Sequence, residues 1–377
     1  MTARFFIGLM SGTSMDGVDG VLADFTGAPR ILAQTSLPIP DALQQELLAL
    51  NSPGDNELHR AALAANALTG LYAQTVQDLL TQAAQRGISP REIQAIGAHG
   101  QTVRHQPQAY GGTGYTLQIN NPCLLAELTG LDVVADFRNA DLAAGGQGAP
   151  LVPGFHAALW ARPGVDIAVL NIGGISNLTL LPAQGPVRGF DCGPGNALLD
   201  FWCRRHTGQP FDANGAWAAG GQVLPELLGR LLNEPFFQRL PPKSTGRDLF
   251  NPPWLISKLS AQVAELPPQD VQATLTALTA RICAQDLQNH LPGASELLVC
   301  GGGALNGELM RGLQAALPNT QVLPSDARGL PALLVEASAF AWLAWCWHER
   351  KPASLSEVTG AHAPRVLGAL YPATAVA

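Results

Sequence analysis

Lysine is almost missing from this sequence: its 377 residues hold three, Lys243, Lys258 and Lys351. A phosphate site here must therefore lean on backbone amides, arginine and metal. Charge is scarce altogether, at 14% of residues, and the net balance is −7, which gives no general reason to expect nucleic acid or an anionic membrane as partner. Six cysteines (Cys123, Cys192, Cys203, Cys283, Cys300, Cys346) show neither a C-x-x-C pair nor a zinc spacing. With the chain's length, that favours reduced thiols in a cytoplasmic protein. The apolar run 5–10 is too short for a signal-peptide core and leads straight into a loop. The most apolar late segment, 335–347, carries Glu336 and is too short to span a bilayer. No G-x-x-x-x-G-K-[ST] occurs, and no G-x-G-x-x-G fits 301–307, because Ala304 and Asn306 occupy required glycine positions. A Walker-type fold and a dinucleotide-binding oxidoreductase are both disfavoured.

What is present is apolar and rich in small turns. Apolar residues make up 47% of the chain, and its length exceeds what one core usually serves, so two domains are expected. Residues 4–25 run apolar, turn through Ser11-Gly12-Thr13-Ser14-Met15-Asp16-Gly17, and alternate again, which predicts a β-hairpin. Residues 166–179 repeat that shape around Gly173-Gly174. Leucines at helical spacing cover 40–86, and short strands are expected at 93–98, 116–119 and 133–135. In the second half, helices are expected at 197–206, 305–317 and, as a long amphipathic one, 271–291; 296–300 reads as a strand. Strands alternating with helices predict an α/β fold, and the two hairpins predict a duplicated one.

Each candidate site has a plainer account beside it. Gly12, Thr13, Ser14, Asp16 and Gly17 supply close backbone approach, hydroxyl donors and an acid able to hold Mg²⁺ through water, although ordinary hairpin turns use the same residues. Gly301, Gly302 and Gly303 suit a strand-to-helix turn cupping an adenosine, or simply tight packing. Asp191, before Cys192-Gly193-Pro194, could take a proton from a hydroxyl or water. Unaided, a turn-capping aspartate is the simpler account, and Cys192 reads as a small packed residue. His99 and His105 lack a third metal ligand at any standard spacing, so sugar contacts or loop hydrogen bonds suit them better. Arg138, beside the glycine-rich loop 142–150, suits a carboxylate ligand, with a surface salt bridge as the alternative.

Taken together, GLMSGTSMDGVD (8–19), HGQTVR (99–104), VADFRNADLAAGGQGAPLVP (134–153), NIGGISN (171–177), GFDCGPGNALLD (189–200), KSTGRDLFN (243–251), CGGGALN (300–306) and VEASAFAWLA (335–344) resemble the anhydro-N-acetylmuramic acid kinase family. That family is part of the actin, hexokinase and heat-shock-chaperone ATPase superfamily. Cys192 stands where the family usually has threonine, and Asp248 where it usually has glutamate. The resemblance implies a two-lobed fold, each lobe a mixed sheet flanked by helices, with the active site in the interlobe cleft. It also implies lobes at 1–135 (joined by 350–377) and 136–349. The implied reaction opens a 1,6-anhydro sugar with water and phosphorylates O6 from ATP with Mg²⁺, in peptidoglycan recycling. Asp191 matches the catalytic base. Gly12, Thr13, Ser14, Met15, Asp16, Gly17, Val18 and Asp19 match one nucleotide loop, Gly173 and Gly174 a second, and Gly301, Gly302, Gly303 and Asn306 the adenosine side. Asp16 is the expected Mg²⁺ contact through water. Ser11, His99, Gln101, Arg138, Asn171 and Glu336 are expected at the sugar, although a helix acid in solvent would also account for Glu336. The implied partners are the sugar and ATP, without nucleic acid or membrane, in a cytoplasmic homodimer. A nucleotide-driven binding module and a kinase for another amino sugar are the alternatives.

Overall fold

The computed structural model describes residues 5–12, 15–246, 249–259 and 266–373. Thr13, Ser14 and Asp248 lie outside the described residues. The chain divides into one unit of Met1–Leu159 with Leu334–Ala377 and another of Trp160–Leu333. The cut expected after 135 thus falls inside the first unit, and the returning segment begins at 334 rather than 350.

In the first unit, β1 (Phe5–Ser11) and β2 (Gly17–Asp24) form the expected hairpin, with Ser11 opposite Val18. β3 (Arg30–Pro38) continues it antiparallel, while β4 (Ile93–Ala98) lies parallel to β1. β5 (Gln101–Pro107) and β6 (Gly114–Ile119) make a separate ribbon. β7 (Val133–Ala135) is parallel to β4, and the late strand Ala369–Tyr371 pairs antiparallel with β7. The leucine-rich stretch 40–86 forms two helices, Asp41–Ala49 and Glu57–Ala84.

β1 is buried at every position, because Leu68, Tyr72, Val76 and Leu79 of the long helix share a core with its odd-numbered apolar residues. The helix Val335–His348 packs on the same sheet. Its approach is set by Gly8 and Gly97, paired across β1 and β4. A methyl at Gly8 would land on the Ala337 carbonyl, and one at Gly97 on the Phe340 carbonyl. Two side-chain-free positions therefore let a helix backbone, flanked by Ala337, Ala341 and Ala344, rest directly on the strands.

The second unit repeats the plan. β8 (Ile167–Ile172), β9 (Ile175–Leu181) and β10 (Arg188–Pro194) are antiparallel neighbours. β11 (Glu296–Cys300) runs parallel to β8, and β12 (Gln321–Pro324) parallel to β11. The order β10-β9-β8-β11-β12 matches β3-β2-β1-β4-β7 in sequence and in strand sense. The helix expected as amphipathic at 271–291 runs Pro268–His290: Leu275, Leu278, Ile282 and Leu287 are buried, a stripe through Arg281, Gln285, Gln288 and Asn289 faces solvent, and several polar residues are buried with the leucines. Its threonines make this tolerable: Thr274 and Thr276 hydroxyls bond to carbonyls one turn back, and Thr279 to the Pro194 carbonyl. Among the described residues, no helix is long and apolar enough to cross a membrane.

Candidate functional site

The residues singled out in the sequence fall into a group in each unit. In the first, the turn after β1 is held by Met15 N–H on the Gly12 carbonyl and by Ile39 N–H on the Asp16 carbonyl. Met15 is buried at positive φ (56°), and its carbonyl accepts from Gln44 Nε2 at 2.8 Å. Val18 is fully buried among the core side chains and Asp16 is exposed. Asp19 is half-buried on β2. Burial raises its pKa, against a hydrogen bond from Ser36, and the charge of Asp16 adds to the rise.

Ser11 Oγ lies 3.0 Å from the buried Tyr72 hydroxyl and donates to the Gly100 carbonyl at 3.4 Å. His99 is buried between β4 and β5, and its Nε2 receives Arg138 Nε (3.2 Å) and Nη2 (2.8 Å). Burial, with the Arg138 charge beside it, drops its pKa well below the ordinary value, so the ring is neutral. Arg138 Nη1 donates to the Gly148 carbonyl at 2.8 Å. Burial brings the guanidinium down to about 10, and Glu336 works against that fall. Glu336, in the first turn of Val335–His348, is raised by burial; Arg138 opposes the rise and Asp19 adds to it. Gln101 Oε1 is buried without a hydrogen-bond partner. His105 is held by the Thr116 hydroxyl at 3.0 Å and lowered to about 4, chiefly by burial. His99, Arg138, Glu336 and Asp19 are therefore linked as one polar group, and Ser11 bonds to the Gly100 backbone next to His99.

In the second unit, the Gly173-Gly174 turn joins β8 to β9. The Gly173 carbonyl accepts from Asn196 N–H (2.8 Å) and the Gly174 carbonyl from Gly195 and Ala197 N–H (3.0 and 3.2 Å). The turn thus caps the helix Asn196–Thr207. Gly301 sits at φ 76°, where only glycine is comfortable, and a Cβ there would crowd Asn171 Oδ1 and the Ile172 carbonyl. Gly303 is buried against Ile172, while Gly302 is exposed. Asn306 caps the helix Gly307–Ala316 by accepting from Leu309 N–H. Asn171, expected with the sugar residues, belongs to the second unit and lies among Gly301, Cys300 and the β8–β9 turn.

Asp191 lies where β10 is bulged: Asp191 faces Asn177 and Gly193 faces Ser176, with Cys192 skipped. Such bulges re-aim a side chain. Asp191 Oδ2 accepts from Ser244 Oγ (3.0 Å) and Thr245 N–H (2.9 Å), and Asp191 N–H donates to the Lys243 carbonyl (3.0 Å). Burial raises its pKa, and the Thr245 and Ser244 hydrogen bonds and the Lys243 charge moderate the rise. Sequence reasoning gave Lys243, Ser244 and Thr245 no role. The one available signal was a rare lysine in a loop otherwise built of proline, serine and glycine.

Among the described residues, no group of three or more histidines, cysteines or acids could hold a metal. Asp16 and Asp19 are electrostatically coupled carboxylates beside one turn, and Mg²⁺ usually takes only one or two protein carboxylates.

Two sheets of the same order and sense, each with a glycine-bearing hairpin turn, define a duplicated α/β fold. The family model for anhydro-N-acetylmuramic acid kinase matches residues 4–373. The chain is 60% identical to the anhydro-N-acetylmuramic acid kinase of Variovorax paradoxus (strain S110), covering 99% of this chain and 100% of the relative. It is 59% identical to that of Albidiferax ferrireducens, covering 98% and 99%, and 56% identical to that of Ralstonia nicotianae, covering 98% and 97%. The chain belongs to the anhydro-N-acetylmuramic acid kinase family.

Proposed function

We propose that this enzyme takes 1,6-anhydro-N-acetylmuramic acid, ATP and water to N-acetylmuramic acid 6-phosphate and ADP. The observation that carries the reading is Asp191. Its Oδ2 is pinned by two donors, Oδ1 receives neither, and burial holds its pKa above that of a free aspartate. A carboxylate so held is a base of fixed aim. Asp191 takes a proton from water, whose oxygen bonds to C1 as the C1–O6 bond breaks. O6 then takes the γ-phosphoryl group as its bond to ADP breaks. Hydrolysis of an acetal ordinarily needs a second carboxyl to protonate the leaving oxygen. Here O6 passes to phosphorus instead, so a single base suffices.

The nucleotide is assigned to Gly12, Met15, Asp16, Gly17, Val18 and Asp19, with Gly173, Gly174, Gly301, Gly302, Gly303 and Asn306. Ser11, His99, Gln101, Arg138, Asn171 and Glu336 are assigned to the sugar. Asp16, through water, and Asp19 would hold Mg²⁺, which neutralises charge on the transferring phosphoryl group. Six free cysteines, five of them buried, suit a reducing cytoplasm. A homodimer completes the proposal and is checked by light scattering.

The test supplies the anhydrosugar, ATP and Mg²⁺ in ¹⁸O-water. Label at C1 of a 6-phosphorylated product is expected. Phosphorylation without label points to a hydroxyl-phosphorylating sugar kinase, and no phosphorylated product refutes the reading.

A further inference from the structure

Lys243 is the buried member of a sparse set. Its side chain is 1% exposed, and Nζ sits 3.0 Å from both carboxylate oxygens of Asp286 on the helix Pro268–His290. The ammonium also lies 5.6 Å from the centre of the Phe190 ring and 5.3 Å from that of Phe236. Stability alone does not explain such a pair. Desolvating two charges costs about as much as their attraction returns, and apolar residues of similar volume commonly serve as well. Its position offers a reason. The loop entering at Pro241 has no strand or helix to hold it, yet three successive residues grip Asp191: the Lys243 carbonyl, the Ser244 hydroxyl and the Thr245 N–H.

We propose that Lys243 and Asp286 are positioning residues: the ion pair anchors the loop at its first gripping residue, so that Ser244 and Thr245 hold Asp191 Oδ2 and leave Oδ1 aimed at the water. The reach of a lysine stem lets the loop stand off the helix while its charged end is fixed inside. Neither side chain is assigned a contact with sugar or nucleotide, so the pair should act on turnover and leave binding alone.

The inference rests on Asp191 being the base, and the experiment separates the two. Lys243→Met/Asp286→Leu removes both charges and fills the space, avoiding a lone buried ion. It is expected to fold and to keep KM for 1,6-anhydro-N-acetylmuramic acid and ATP, while kcat falls roughly 10- to 100-fold, the range for a catalytic group displaced by about 1 Å. Lys243→Arg, which keeps the charge, should recover most of kcat. Full kcat in the double variant overturns the proposal, as does a loss confined to KM. Should that variant fail to fold, Asp286→Asn, which keeps shape and one acceptor, decides by the same split. Asp191→Asn with normal turnover would refute the base itself, whereas an inactive Asp191→Asn beside a fully active double variant refutes only the positioning role.

Discussion

Asp191 shows how one side chain can be tuned from several directions. Burial favours its neutral form, while the Thr245 N–H, the Ser244 hydroxyl and the Lys243 charge favour the ionised form, and burial prevails. The sign of the pH effect follows. Above its raised pKa the carboxylate is ionised and can accept a proton; as pH falls through that pKa the base is lost. The acid limb of kcat should therefore have its midpoint above 3.8, the ordinary aspartate value, and fall about tenfold per pH unit below it. A midpoint at or below that value would count against Asp191. The aspartate itself was legible in the sequence, sitting before a Gly-Pro turn, but turn capping explained it equally well. Its donors lie 53 and 54 residues away, and no local pattern announces a hydrogen bond across that separation.

At the scale of elements, the helix Val335–His348 depends on what β1 and β4 omit. Gly97→Ala would place a methyl on the Phe340 carbonyl, and the main chain there has no flexible end to swing aside. The helix must lift, at a cost of about 3 kcal/mol. Because Glu336, which we propose meets the sugar, begins that helix, thermal unfolding should show the loss and kinetics a raised sugar KM. An unchanged melting temperature would show that the helix does not rest there. The hairpins β1–β2 and β8–β9 were readable, since alternation and small turn residues are local signals. The long helix of the second unit is amphipathic as its leucine spacing predicts, but its buried side also takes in polar residues. Threonines satisfied by their own helix, at Thr274 and Thr276, look polar in a sequence and behave as buried residues in the fold.

Across the whole molecule, two sheets of one design each carry a core of their own. Phe6, Leu9, Leu68 and Tyr72 are fully buried in the first unit, and Leu170, Trp202, Leu231 and Phe250 in the second. Each unit has the means to unfold as a cooperative block. Calorimetry should therefore give a total enthalpy clearly above the van't Hoff value for the main transition. Equality of the two would show that the units melt as one.

The sequence by itself determined the α/β class, the duplicated hairpins, the exclusion of Walker and dinucleotide motifs, and the family. All of these rest on local spacing or on ordered segments read along the chain. Tertiary structure decided what those segments do to one another. It set Arg138 against a neutral His99, put Glu336 on a helix admitted by two glycines, placed Asn171 beside Gly301, and clamped Asp191 with a loop pinned by Lys243 and Asp286. The physical reason is that protonation states, burial and donor geometry depend on neighbours in space, and folding chooses those neighbours from distant parts of the chain.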